Sequence, residues 1–128
     1  MTDQKHIMVI DDDPDFLDYV RIVLTANGYA VRTARSAQEG LTLMRQAKPD
    51  LVIVDFMMSY VLDGVAVCRD MADDVELAGI PVLLVSAVVS ERDDQLFTPE
   101  ERKRVAGFMS KPVEPALLVA RIEELTAA

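Results

Sequence analysis

Residues 7–16 read Ile-Met-Val-Ile-Asp-Asp-Asp-Pro-Asp-Phe and carry the strongest structural signal in the chain. The four apolar residues predict a short strand over 7–10 that is buried on both faces. The Asp-Pro pair that follows is typical of a helix start, because a carboxylate accepts hydrogen bonds from free backbone N–H groups and proline suits the first turn. A buried strand that runs directly into a helix is typical of a parallel α/β sheet.

The same alternation continues outward from this stretch to the end of the chain. Apolar and β-branched runs predict four more strands, over residues 30–33, 51–54, 82–85 and 107–109. Helical segments separate these runs, so the fold class is α/β, with a five-stranded parallel sheet that is doubly wound and has right-handed crossovers. In such sheets, ligands bind beyond the carboxyl ends of the strands.

Helix signals occupy the intervening segments. The first helix is predicted over 15–27, and its inward stripe comprises Phe16, Val20, Val23 and Leu24. Ser36 and Glu39 form a capping box for the second helix, the third starts near Gly64, and Pro115 opens the last. Residues 89–106 predict a broken or shifted fourth helix, because a second helix start lies within them at residues 98–101.

Composition limits the classes of function. A chain of 128 residues with 51% apolar residues predicts one globular domain over 1–128. Its net charge of -9 disfavours direct binding of nucleic acid or of an anionic membrane. Its one cysteine, Cys68, excludes an intrachain disulfide, and we find neither a signal peptide nor an apolar run of about 18 residues. We therefore expect a cytoplasmic protein.

Acidic and basic residues follow the predicted strands. Asp11 and Asp12 come after the first strand, Asp55 after the third, Ser86 after the fourth, and Lys111 after the fifth. Because the carboxyl ends of parallel strands share one edge of the sheet, we expect these side chains to converge. Crowded carboxylates raise one another's pKa values unless a cation lies among them, and an oxygen-only donor set favours Mg²⁺.

This set of groups suits phosphoryl transfer to a carboxylate. The reaction needs an anionic oxygen nucleophile, a metal ion to neutralise the phosphoryl oxygens, and donors that hold those oxygens in line. Asp55 is the predicted nucleophile, since Asp11 and Asp12 are better placed to bind metal. Ser86 and Lys111 can donate to the phosphoryl oxygens.

Five dispersed motifs then give a resemblance that covers nearly the whole chain. VIDDDP at 9–14, IVDFMM at 53–58, DG at 63–64, VLLVSA at 82–87 and SKP at 110–112 are similar to the receiver domain of two-component response regulators. The resemblance implies a flavodoxin-like receiver fold. It also implies that Asp55 accepts a phosphoryl group from a phosphohistidine of a sensor histidine kinase or a histidine phosphotransferase.

The resemblance further assigns the metal and switch residues. It implies that Asp12, Asp55 and the backbone carbonyl of Met57 bind Mg²⁺, with Asp11 acting mostly through a metal-bound water. Ser86 and Phe108 would be the switch residues, and Lys111 would pair with a phosphoryl oxygen. Such a chain assists only its own phosphorylation and dephosphorylation and is compatible with a homodimer. We expect it to signal to a separate downstream output protein, or to act as part of a longer regulator or hybrid kinase.

Two departures from the family pattern leave an alternative open. Ser59 stands where proline is usual, and Asp63 lies eight positions after Asp55 where seven is usual. Without proline and with one extra residue, the loop is less constrained, and we expect weaker metal binding. The alternative is therefore a phosphorylation-independent protein-binding module, or pseudo-receiver, on the same fold. The resemblance implies that positions 57 and 88 set the lifetime of the acyl phosphate. Met57 and Val88 are apolar and cannot orient an attacking water, so we predict slow self-hydrolysis. A metal-dependent phosphatase is disfavoured, because position 57 is not an acid.

Overall fold

The computed structural model describes residues 4–55, 63–86 and 105–127, with the backbone alone at 63–66 and at Ser86. Its strands are β1 (His6–Ile10), β2 (Ala30–Ala34), β3 (Leu51–Asp55), β4 (Val82–Ser86) and β5 (Val105–Ser110). Its helices are α1 (Pro14–Ala26), α2 (Ala37–Gln46), α3 (Asp63–Asp73) and α4 (Pro115–Thr126). The predicted helix in 89–106 lies outside the described residues, except that its last two residues belong to β5.

The strands form one parallel sheet in the order β2-β1-β3-β4-β5. This arrangement confirms the predicted five-stranded α/β class. The chain leaves β1 for β2 on one side and returns to β3 on the other, so strand order reverses between β1 and β3. Doubly wound sheets bind ligands at such a reversal, which here lies beyond Ile10 and Val54, a pair across these two strands.

The central strands are apolar because both of their faces are covered. On β1, Met8 and Ile10 pack with α2 and α3 in one core layer, whereas Ile7 and Val9 pack with α1 and α4 in the other. Full burial of an aliphatic side chain contributes about 1.5–3 kcal/mol. The two layers together hold β1 and β3 in place, and the chain leaves the sheet at their polar ends.

The starts of α1 and α2 follow from their side-chain caps. Asp13 caps α1, because its side chain accepts a hydrogen bond of 3.0 Å from the N–H of Asp15. Ser36 caps α2 by accepting from the N–H of Glu39 at 3.2 Å, as the sequence predicts. Gly28, at φ 90°, turns the chain after α1. The predicted bounds of the first helix differ from the observed ones by one residue at each end.

The fifth strand starts two residues earlier than predicted. Val82 pairs with Val105 and Leu83 with Gly107, so the register shifts at the start of β5. Regular pairing begins at Gly107, which is where the sequence pattern also begins. Among the described residues, no helix combines the length and the apolar character that a membrane span requires.

Candidate functional site

Three carboxylates meet at the carboxyl edge of the sheet. Asp11 and Asp12 directly follow β1, and Asp55 is the last residue of β3. Each offers one carboxylate oxygen, and these oxygens lie within 4.8 Å of one another. Asp11 is fully buried and Asp55 is 6% exposed, whereas Asp12 is half-buried. The sheet topology thus brings together acids that are 44 positions apart in the sequence.

Asp11 is held both through its backbone and through its carboxylate. Its backbone N–H donates to the carbonyl of Ala34 at 3.0 Å, which continues the pairing of β1 with β2. Its Oδ1 accepts from the N–H of Asp13 at 2.9 Å, and its Oδ2 accepts from Lys111 Nζ at 2.8 Å. The orientation of this carboxylate is therefore determined by the start of α1 and by the turn after β5.

Lys111, which directly follows the edge strand β5, brings a positive charge to the cluster. Its Nζ lies 2.8 Å from Asp11 Oδ2 and 3.5 Å from Asp55 Oδ2, and its side chain is 20% exposed. Partial burial lowers the pKa of this ammonium, but the hydrogen bond and charge of Asp11, and then Asp55, raise that pKa above its ordinary value. Lys111 therefore stays protonated at neutral pH, and its contribution to stability is lost only as the pH rises through the raised pKa.

The donor set suits a hard divalent cation. The cluster consists of aspartates alone, with no histidine or cysteine from the described part of the chain. Three carboxylates beside one ammonium leave an excess of negative charge, and oxygen ligands favour Mg²⁺ over zinc. Asp11, Asp12 and Asp55 therefore fit the predicted Mg²⁺ site by position and by chemistry.

The structure describes only some of the remaining predicted site residues. Met57, Ser59 and Val88 lie outside the described residues. The backbone of Ser86 ends β4 and pairs with that of Ser110, while its side chain is not described. Phe108 lies on β5, where it is half-buried and packs against the core layer of α2 and α3.

Two residues at the site were not predicted to belong to it. Lys111 Nζ lies 4.2 Å from the centroid of the Phe16 ring, and the hydroxyl of Tyr19 donates to the carbonyl of Val113 at 2.6 Å. Periodicity assigned Phe16 to the core stripe of the first helix, and it does pack against the core there. Its contact with Lys111 depends on how α1 lies over the turn after β5, which no local pattern in the sequence encodes.

The fold and the acidic edge define a doubly wound α/β protein with a cluster of carboxylates at its switch point. The model of the response regulator receiver domain family matches residues 7–123. The chain therefore belongs to the family of response regulator receiver domains, and the resemblance noted in the sequence is confirmed.

Relatives and solved structures agree with this assignment. The DNA-binding response regulator MtrA of Mycolicibacterium smegmatis is 31% identical over 121 residues, which cover 94% of this chain and 50% of that protein. Protein PilH of Pseudomonas aeruginosa is 30% identical over 94% of this chain and 97% of its own length. The chemotaxis protein CheY4 of Vibrio cholerae has the same fold, with a TM-score of 0.85, 23% identity and coverage of 96% and 99% of the two chains. The chain spans half or less of the first curated relatives that it matches.

Proposed function

We propose that the chain is a phosphoacceptor switch of two-component signalling, in which Asp55 receives a phosphoryl group from a phosphohistidine. The donor is a sensor histidine kinase or a histidine phosphotransferase. The observation that carries the proposal is the meeting of three aspartate oxygens within 4.8 Å beside the ammonium of Lys111. Each of these groups has a distinct part in the transfer.

Asp55 is the nucleophile in this proposal. It ends a fully buried strand, and its Oδ2 faces Lys111 Nζ at 3.5 Å. One carboxylate oxygen of Asp55 attacks phosphorus as the P–N bond of the phosphohistidine breaks. The electron pair of that bond returns to the imidazole nitrogen, which then takes a proton from solvent. Lys111 donates to a phosphoryl oxygen and thereby stabilises the charge that arrives with the group.

Asp12 and Asp55 would hold Mg²⁺, together with the backbone carbonyl of Met57, which lies outside the described residues, and Asp11 would assist them. When bound, the ion neutralises charge on the phosphoryl oxygens and orients them for in-line attack. Asp11 is already engaged by Lys111 through Oδ2 and by the N–H of Asp13 through Oδ1. This supports a role for Asp11 through a metal-bound water rather than as a direct ligand.

The switch is proposed to run through β4 and β5, since Ser86 ends β4 and Phe108 lies on the neighbouring strand. A phosphoryl group on Asp55 would draw the Ser86 hydroxyl toward it, and the Phe108 ring would turn inward with that movement. A shift from mostly off to mostly on requires about 5.5 kcal/mol of differential stabilisation. The altered surface is then read by a downstream output protein or by a second copy of the chain.

The proposal also covers where the chain acts and what kind of partner it has. We propose that the chain acts in the cytoplasm as one domain over 1–128, and that it catalyses only its own phosphorylation and dephosphorylation. Its net charge of -9 supports output through proteins rather than through direct contact with nucleic acid or an anionic membrane.

Incubation with acetyl phosphate and Mg²⁺, followed by intact mass measurement, tests the proposal. We expect a mass gain of one phosphoryl group that is abolished by Asp55→Asn and by chelation of the metal. Asp70→Asn, which removes one exposed acid on α3, is the matched control and should be phosphorylated normally. An unmodified wild-type chain would overturn the proposal and favour the phosphorylation-independent binding module.

A further inference from the structure

Two aromatic residues on α1 contact the turn that carries Lys111. Phe16 and Tyr19 are three positions apart, so they lie on the same side of the helix, with ring centroids 6.4 Å apart. The centroid of the Phe16 ring lies 4.2 Å from Lys111 Nζ, and the Tyr19 hydroxyl donates to the carbonyl of Val113 at 2.6 Å. The aromatic pair therefore contacts both ends of the segment 111–113.

The Phe16 ring completes the surroundings of the Lys111 ammonium. Carboxylates of Asp11 and Asp55 bind it at 2.8 and 3.5 Å, and the ring approaches it within the distance of a cation–π contact. The Lys111 side chain is only 20% exposed, so this contact is less weakened by solvent than one on an open surface. Ring and carboxylates together favour a single position for Nζ.

Lys111 has room to leave that position. A cavity of about 410 Å³ opens beside it, lined by Phe16, Tyr19, Lys111, Pro112 and Val113, with Asp13 and Asp15 at the start of α1. A lysine side chain has four rotatable bonds and loses substantial entropy when it is held in one geometry. Without the ring, the ammonium could turn toward this cavity or toward the carboxylates of α1.

We propose that Phe16 and Tyr19 are positioning residues, which hold Lys111 at the acceptor end of the sheet before the phosphoryl group arrives. Phe16 acts on the ammonium directly, and Tyr19 acts on the backbone of the turn. This inference rests on the proposed function of Asp55, because it concerns how Lys111 is made ready for that transfer.

Substitutions at Phe16 separate positioning from packing. Phe16→Leu keeps an apolar side chain but removes the aromatic ring, whereas Phe16→Tyr keeps the ring. The control is Val23→Ala, because Val23 packs against the same core layer seven positions further along α1 and does not line the cavity beside Lys111. Phosphorylation by acetyl phosphate at saturating Mg²⁺ gives the rate without a protein partner, and NMR of the Lys111 Cε–H groups reports the ring current of Phe16.

We expect Phe16→Leu to slow phosphorylation about three- to tenfold and to remove the upfield shift of the Lys111 Hε signals. Phe16→Tyr should keep both properties, and Tyr19→Phe should slow the rate less while retaining part of the shift. Val23→Ala should lower the midpoint of thermal unfolding and leave the phosphorylation rate and the Lys111 Hε shift unchanged. The inference is overturned if Phe16→Leu reacts at the wild-type rate, or if Val23→Ala slows the reaction equally.

The same data distinguish this inference from the underlying function. If the wild-type chain is not phosphorylated, the proposed function fails, yet the NMR comparison still decides whether the Phe16 ring lies against the lysine. If the wild-type chain is phosphorylated and the Lys111 signals are the same in Phe16→Leu, the positioning role alone is wrong.

Discussion

Lys111 supplies the positive charge beside two buried carboxylates. Its ammonium binds Asp11 and Asp55 at the edge of the sheet, and Asp12 lies in the same cluster. Three carboxylates near one ammonium repel one another, and this repulsion opposes folding when no metal is bound. Under the proposed function, the site therefore trades folding stability for the ability to bind a divalent cation.

This trade predicts that Asp12→Asn stabilises the metal-free chain. Loss of one like charge should raise the free energy of unfolding by on the order of 1 kcal/mol in the presence of a chelator. The same variant should gain less stability from Mg²⁺ than the wild type, because one ligand is lost. Thermal unfolding with chelator and with Mg²⁺ measures both effects.

Asp70→Asn is the control, because it makes the same change in net charge at an exposed position on α3. It should leave the metal-free midpoint and the Mg²⁺ response near those of the wild type. Equal stabilisation by both variants would show that net charge, and not the local cluster, is responsible.

The order of strand ends was sufficient to predict the acidic cluster and its lysine, because parallel strands align their carboxyl ends whatever the details of packing. Phe16 and Tyr19 could not be assigned to the site in this way. Their contacts with Lys111 and Val113 join segments that are more than 90 positions apart. Such contacts depend on the tilt of α1, which is set by the packed core as a whole.

At the scale of elements, the close approach of α2 to β1 depends on Gly40. A Cβ at this position would clash with Ile10 Cδ1 and would lie 2.7 Å from Ile10 Cγ1. Ile10 is buried and immediately precedes Asp11. The packing of α2 against β1 therefore affects the position of Asp11 and of the acidic cluster.

We predict that Gly40→Ala lowers the free energy of unfolding by about 1–3 kcal/mol, because overpacking outweighs the gain in helix propensity. Addition of Ile10→Val removes Cδ1 and should make the double variant more stable than the sum of the single effects. Gly79→Ala is the control, since a Cβ there meets no atom within 4 Å. Urea unfolding of the four variants measures these free energies, and additive losses in the double variant would contradict the packing argument.

The helices α2 and α3 are also linked by charge at the surface. Arg45 Nε on α2 donates to Asp74 Oδ2 at 3.2 Å, just after the end of α3. The N–H of Glu76 and then Arg45 lower the pKa of Asp74 below its ordinary value. A carboxylate with a lowered pKa adds stability above its ordinary pKa, and that stability is lost as the pH falls through the lowered value.

Asp74→Asn should therefore destabilise the chain slightly at neutral pH, and the difference from the wild type should shrink in acid. Asp73→Asn removes the adjacent exposed charge and serves as the control. Urea midpoints of the three proteins across pH measure the difference. A gap that stays constant as the pH falls would contradict the role of the Asp74 charge.

At the scale of the whole molecule, one sheet separates two core layers that share β1 and β3. Neither layer can lose its packing without exposing a face of these strands. We therefore expect residues 1–128 to unfold in one cooperative step, with an m-value of about 1–3 kcal/mol/M in urea. Far-UV circular dichroism and tyrosine fluorescence should give coincident transitions, and separate midpoints would contradict a single folding unit.

Apolar runs and caps were enough to predict the strand count, the parallel class and most element bounds to within one residue, because burial on both faces and helix starts are local signals. The start of β5 was missed, since its first residues pair in a shifted register with β4. That irregularity arises from the neighbouring strand and not from the sequence of β5 itself.

The central claim is that this fold turns one particular carboxylate into a phosphoryl acceptor. After reaction with acetyl phosphate and Mg²⁺, borohydride reduces an acyl phosphate to an alcohol and so marks the acceptor for peptide mass spectrometry. We predict a reduced side chain at Asp55 and at no other aspartate. Reduction at Asp11 or Asp12, or a chain with no reduced residue, would contradict the account.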